Sequence, residues 1–235
     1  MTKFPYIPAL FFSSLLFLSC SHVERNNPCD EKTLSYEGKT YKTVVIGTQT
    51  WMAENLNYAP SSGTFISCDT YDCSTYGRLY YWSTAMALPS SCNSSSCSSQ
   101  INSPHRGICP SGWHIPSNSD WDKLYRYADG TSGTSSPYDS PTAGRYLKAT
   151  SGWNSYNGAS GNGTDQFGFS ALPGGDGSSS GSFYGVGYYG YWWSASEGEG
   201  NSNYAFNRHI YYDSESAFWV NYGKSGLYSV RCLQD

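Results

Sequence analysis

Charge is scarce in this chain. Lys, Arg, Asp and Glu make up 14% of its 235 residues, and the formal net charge is −4. No basic stripe is present to replace the counterions of a phosphate backbone, which argues against a nucleic-acid partner. Long apolar runs are missing as well. Beyond the N-terminal segment, nothing is long and apolar enough to span a bilayer as a helix. The four histidines, His22, His105, His114 and His209, include no H-x-x-x-H pair, so the helix of a zinc hydrolase is not encoded. No internal repeat recurs at a regular period.

What the chain has instead is ring and turn. Aromatics reach 17%, led by 22 Tyr, beside 25 Gly. Disordered chains carry the opposite bias, many charges and few aromatics. Tyr and Trp favour pleated surfaces while Gly, Ser and Asn favour turns, so strand and loop are expected to dominate.

The N-terminus has its own composition. Residues 9–18 are nearly all apolar and lead to Ser19-Cys20, with Lys3 the only charge before them. That length suits the core of a signal peptide. Residues 15–20 (LLFLSC) resemble a lipobox, with Cys20 as the lipidated residue. Phe17 and Leu18 stand where Leu and a smaller residue are usual, so the rival is an ordinary secretory signal and a secreted chain. The expected organisation is a lipoprotein-type signal peptide at 1–19, a lipidated Cys20 with a polar tether at 20–35, and one domain at 36–235. The expected location is the outer membrane or cell surface, with a lipid anchor in the membrane. The leaflet is not legible.

Export places the cysteines where disulfides persist. Cys68 with Cys73 and Cys92 with Cys97 could each close a small loop, and Cys109 with Cys232 a long one. Cys29 would be left over in the tether if Cys20 carries lipid. Six cysteines allow fifteen pairings, and spacing does not choose among them. Two C-x4-C pairs also permit a zinc site, although the exported context favours disulfides.

Several elements are legible. Residues 41–46 and 49–52 read as a hairpin around Gly47-Thr48. Residues 79–82 look buried, residues 83–88 read as one or two helical turns, and the Ser-rich residues 89–104 as an exposed loop. The clearest helix starts at Ser117, three residues before Asp120 as in a capping box. Trp121, Leu124, Tyr125 and Ala128 then share one face, and Gly130 ends it. A shorter helix is expected over 142–149. Strands are expected at 167–172, 191–195, 204–212, 217–222 and 227–233, with Lys224-Ser225-Gly226 as the last turn.

Six motifs then follow in order. They are residues 51–58 (WMAENLNY), 76–82 (YGRLYYW), 109–117 (CPSGWHIPS) with Asp120-Trp121, 167–175 (FGFSALPGG), 192–195 (WWSA) and 229–233 (SVRCL). Together they resemble the Fibrobacter succinogenes major paralogous domain, a family of surface and secreted proteins, from about residue 36 to 235. That family is similar to C-type-lectin-like and formylglycine-generating-enzyme-like folds. The resemblance implies an α+β, C-type-lectin-like fold with one or two helices, a small antiparallel sheet and long disulfide-stapled loops. It also implies a Cys109–Cys232 bridge, and it names no activity.

No catalytic constellation stands out. Gly185-Val186-Gly187-Tyr188-Tyr189-Gly190 fits G-x-G-x-x-G, but aromatics follow where a dinucleotide site needs a helix. Residues 177–181 fit G-x-S-x-G without its strand–turn–helix context. Cys232 has the structural disulfide position, so formylglycine-type oxidation is not expected, and the E-P-N and W-N-D signatures of calcium-dependent lectins are missing. No cofactor is expected. Calcium at the Asp213–Glu215 turn stays open without support. The candidate ligand-binding residues are Asp176, Tyr188, Tyr189 and Glu197: two rings between glycines that could stack on sugars, and two carboxylates beside the aromatic segment. The plainer alternative makes these carboxylates, with Glu199, solvated loop residues. The expected partner is a polysaccharide or a surface protein, and the oligomeric state is not legible. Rival readings are a structural envelope protein and a carbohydrate-active enzyme.

Overall fold

Turn chemistry sets the first sheet. In a computed structural model, which describes residues 32–178 and 180–235, the chain enters as β1 (Lys32–Tyr36). It reverses at Glu37-Gly38, both at positive φ, into β2 (Lys39–Ile46). Gly47 turns it again into β3 (Gln49–Met52). The signal peptide, Cys20, His22 and Cys29 lie outside the described residues. The polar segment expected as tether contains β1 at its end. Leu34 and Tyr36, partly buried against the core, supply an apolar face too short to register as a pattern.

Short elements follow. α1 (Cys73–Tyr76) is capped by Asp72, whose carboxylate accepts from the N–H of Ser74 and Thr75. After β4 (Leu79–Tyr80) and α2 (Trp82–Ala85) come two 3-10 turns, Ser90–Asn93 and Ser98–Gln100. The Ser-rich segment expected to be exposed is therefore pinned from within, with Cys92 and Cys97 buried. β5 (Trp113–His114) leads to α3 (Asn118–Asp129). Ser117 and Asp120 form the expected capping box, Gly130 closes the helix at φ 72°, and Trp121, Leu124, Tyr125 and Ala128 are buried. α4 (Ala143–Leu147) is shorter than expected.

The rest is mainly strand: β6 (Asp176–Gly177), β7 (Phe183–Tyr184), β8 (Tyr189–Glu197), β9 (Tyr204–Tyr211), β10 (Ala217–Gly223), β11 (Tyr228–Ser229) and β12 (Leu233–Gln234). One sheet runs β1-β2-β3-β12-β5, a second β10-β9-β8-β11-β4, and β6-β7 forms a small hairpin. The architecture is α+β, mostly antiparallel, with one parallel pair between β11 and β8.

Two expected strands fail for identifiable reasons. Residues 167–172 make only a bridge between Ala171 and Lys148, because Gly168 (φ 71°) and Ser170 (φ 52°) adopt left-handed backbone that cannot continue a strand. Residues 227–233 split into β11 and β12, which belong to different sheets. Between them Arg231 is fully buried.

Arg231 ties the two halves together. Its Nε and Nη2 donate to Oδ1 of Asn55 at 3.1 and 2.8 Å, and Nη1 donates to the carbonyl of Phe169. The guanidinium lies 4.2 Å from the Phe169 ring centroid. Trp192 Nε1 donates to the same Asn55 oxygen at 2.8 Å, while Asn55 Nδ2 donates to the Tyr76 carbonyl and to Ser229 Oγ. Trp51, Trp121 and Phe169 pack around this centre. Burial holds the Arg231 pKa down at about 9.

The six domain cysteines form Cys68–Cys73, Cys92–Cys97 and Cys109–Cys232, so the zinc alternative is set aside. Two stability predictions follow from the network and the bridges. Asn55→Ala takes from the buried guanidinium the acceptor of its Nε and Nη2 and should lower the unfolding free energy in urea by about 3 kcal/mol. Opening the 123-residue bridge as Cys109→Ser with Cys232→Ser should cost about 4–5 kcal/mol, against about 2 kcal/mol for Cys68–Cys73, by the loop-entropy relation. Equal losses from both bridges would contradict that ordering.

Candidate functional site

Strand alternation separates two faces of the second sheet. Trp192 and Ile210 point into the core. Tyr191 and His209, and Tyr189 and Tyr211, are cross-strand pairs on the other face, and Phe218 is paired with His209 from β10. The outer face is therefore a field of rings. Tyr191 meets Tyr228 at 5.2 Å between centroids, and His209 stacks on Phe218 at 5.3 Å and 21°. Tyr222 approaches Tyr228 edge-on at 6.0 Å.

These rings line a cavity of about 390 Å³ that also takes in Asp176, from the β6–β7 hairpin. Its polar groups are few and desolvated. Burial raises the Asp176 pKa above the usual carboxylate range. Burial also raises the phenols of Tyr191 and Tyr228, with Asp176 contributing to both. Burial, and then the Arg208 charge, pull the His209 pKa down to about 4, so its imidazole is neutral near pH 7. His209 is 6% exposed and its Nδ1 has no hydrogen-bond partner. A mostly aromatic cavity with a few convergent polar atoms is the usual form of a small-ligand site. Among the described residues Asp176 is the one carboxylate lining it, whereas hydrolysis of a glycosidic bond commonly needs two.

The sequence-level candidates do not all converge here. Asp176 lines the cavity. Tyr189 adjoins it, 6.0 Å from Tyr191 and 5.3 Å from Tyr211. Tyr188 is 43% exposed and turns to Tyr212 at 5.0 Å. Both positions depend on glycine. Gly185 and Gly187 have positive φ, and a Cβ on Gly185 would collide with the Tyr189 ring. The G-x-G-x-x-G pattern thus seats tyrosines.

Glu197 belongs elsewhere. It pairs with the fully buried ammonium of Lys224 at 2.5 Å and accepts from Ser96 Oγ and the Cys97 N–H. Against burial, which raises it, those bonds hold its pKa below the usual value. Its work is to clamp the Cys92–Cys97 loop onto β8, and Glu199 is exposed. His114 is also architectural, bound through Nδ1 to Asp235 at 2.7 Å, with Nε2 3.6 Å from Asp120.

The carbonyls of Tyr211, Tyr212 and Ser214, beside the Asp213–Glu215 turn considered for calcium, accept from the Lys148 ammonium at 3.3, 3.5 and 3.0 Å. Among the described residues, no group of three or more His, Cys, Asp or Glu side chains is placed to hold a metal ion.

Tyr191 falls in the aromatic segment 183–193, whereas His209, Tyr211, Phe218, Tyr222 and Tyr228 are not legible as site residues from the sequence. The signal was the period-two spacing of 209 and 211 and of 218 and 222, readable only once β9 and β10 are known to pair.

The buried imidazole gives a pH prediction. A folded pKa depressed from about 6.5 to about 4 contributes stability that is complete above pH 6.5 and lost as pH falls towards 4, worth about 3 kcal/mol. The difference in unfolding free energy between the native protein and His209→Gln should shrink by that amount between pH 7 and pH 4. Parallel pH profiles would contradict it.

No curated protein and no solved structure matches this chain. Residues 44–234 match the family model described as the Fibrobacter succinogenes major domain, a span that contains the second sheet, the first sheet from the end of β2 onward, the three disulfides and the aromatic cavity. The chain belongs to that family.

Proposed function

We propose that this protein is an exported lipoprotein, anchored through Cys20 at the outer membrane or cell surface, whose lectin-like domain binds polysaccharide on the aromatic face of its second sheet. The observation that carries the reading is the cavity of Tyr191, His209, Phe218, Tyr222 and Tyr228 with Asp176 at its edge. Ring faces pack against the apolar C–H faces of sugars, while a few buried polar atoms read hydroxyl positions. The Asp176 carboxyl is such a group.

The lectin-like assignment draws support from the last strand, β12, which pairs beside β3 and β5, and from the Cys109–Cys232 staple. The anchor draws support from cysteine parity. Among the described residues three disulfides take six of the eight cysteines; the anchor reading assigns Cys20 to lipid and Cys29 to a free thiol, and mass spectrometry that finds these two bridged would overturn it. Among the described residues no helix is long and apolar enough to cross a membrane.

A second reading, a structural envelope protein recognised by other proteins, rests on β10. Beyond Ala217 and Trp219, whose outer backbone groups are taken by Ser140 and Asp139, this edge strand carries no charge and no proline to discourage strand addition. Crosslinking on intact cells that captures protein neighbours through β10, with no glycan bound, would favour it.

The full chain in mild detergent, applied to a glycan array, should bind a neutral polysaccharide. Tyr191→Ala should weaken that binding by about 10-fold, or 1.4 kcal/mol, with Asp176→Asn acting in the same direction and thermal melts confirming a folded protein. Absence of binding to every glycan would sink the proposal.

A further inference from the structure

The aromatic cavity is not isolated. A second cavity of about 390 Å³ lies beyond the end of β9, with Tyr156 and Tyr212 in its wall. Their rings meet edge-on at 5.7 Å. Side-chain hydroxyls and an amide, from Ser160, Asn162, Thr164 and Ser214, line the same space. Its charges balance: Arg145 faces Glu215 at 3.6 Å, and Lys148, opposite Asp213, is held by backbone carbonyls. The second cavity is more polar than the first, and what the two share is a wall of tyrosine rings.

A continuous ridge of tyrosines joins the two. From Tyr228 the centroid steps are 5.2 Å to Tyr191, 6.0 Å to Tyr189, 6.1 Å to Tyr188, 5.0 Å to Tyr212 and 5.7 Å to Tyr156. The order follows the strands. Tyr191 and Tyr189 lie on β8, and Tyr188 and Tyr212 stand just outside the adjoining ends of β8 and β9. Tyr188 and Tyr156 are 43% and 47% exposed, so the outer half of the ridge is open to solvent. Each step is comparable to the length of one sugar unit.

We infer that the ligand is a linear, uncharged polysaccharide chain held at both cavities, with Tyr188 and Tyr189 as the stacking platform between them; this rests on the carbohydrate reading above. A single sugar would fill one cavity and leave the ridge and the second cavity without a role. A polyanionic chain would meet Asp176 at one end and find every cation at the other already engaged by carbonyls or a carboxylate. A chain that reaches both cavities gains from the second at high effective concentration, so affinity must climb with length.

Titration calorimetry on the full chain in detergent tests this with cello-, xylo- and manno-oligosaccharides from disaccharide to octasaccharide, and oligogalacturonides as the charged control. The expected result is affinity that rises with length in one of the neutral ladders and exceeds that of the galacturonides. Tyr156→Ala and Tyr188→Ala, both at exposed rings, should each weaken the longest oligomer by about 10-fold and flatten the rise of affinity with length. Equal affinity for disaccharide and octasaccharide, octasaccharide binding indifferent to both substitutions, or a preference for galacturonides would overturn the inference and leave the first cavity's role intact. Failure of every ladder would remove the carbohydrate reading itself.

Discussion

A buried guanidinium organises this fold. Arg231 is fully buried and bonded to an amide and to backbone carbonyls, with Phe169 and Trp192 near its faces. Arginine suits such a place, because its planar, weakly hydrated cation offers five directed donors and stacks on rings. The desolvation cost is met only if every donor direction is occupied, so the neighbours have little freedom. Asn55 must present its oxygen towards Arg231 and Trp192, which sends its amide to Tyr76 and Ser229. Ser170 accepts left-handed backbone, braced by the Asp165 carboxylate at 2.6 and 2.7 Å. The split of the C-terminal segment into β11 and β12 puts Arg231 at the crossing between sheets.

From this centre the orientation of β8 follows. Trp192 is fixed inward by Asn55, and Trp193 is anchored by its indole N–H on the Tyr80 carbonyl at 2.7 Å. With Trp192 pinned inward, the alternation of the strand presents Tyr189 and Tyr191 outward. The aromatic outer face is thus a consequence of the inner one. The tyrosines could not have been placed by pairwise contacts on their own side, where rings meet at varied angles and distances.

This difference explains what was legible. Helix α3 could be read from Ser117 to Gly130 because its cap, apolar face and stop are local. The first hairpin was equally plain around Gly47. The lost strand at 167–172 looked apolar because Phe169 and Ala171 are buried, but their burial serves Arg231 and Lys148, far away in sequence. Glu197 was indistinguishable from a solvated carboxylate, since Lys224 and Cys97 approach it from distant positions. Asp176 and Tyr189 could be found as a carboxylate and a ring near glycines. Their company of His209, Phe218 and Tyr228 required the register of three strands.

The motifs that identify the family are, in physical terms, the Arg231 network and its surroundings. Asn55 lies in the first, Tyr76 in the second, Phe169 in the fourth, Trp192 in the fifth and Arg231 in the last, and they meet at one point. By contrast His209, Tyr211, Phe218 and Tyr222 lie in the stretch between the last two motifs. The division has a cause. Changing one member of a closed, buried hydrogen-bond network strands a polar atom or a charge, so its members can be replaced only together. Exchanging one ring on the aromatic face breaks no such closed network. The same scaffold can therefore carry different aromatic faces, and membership in the family identifies the support beneath that face while leaving its chemistry to the rings themselves.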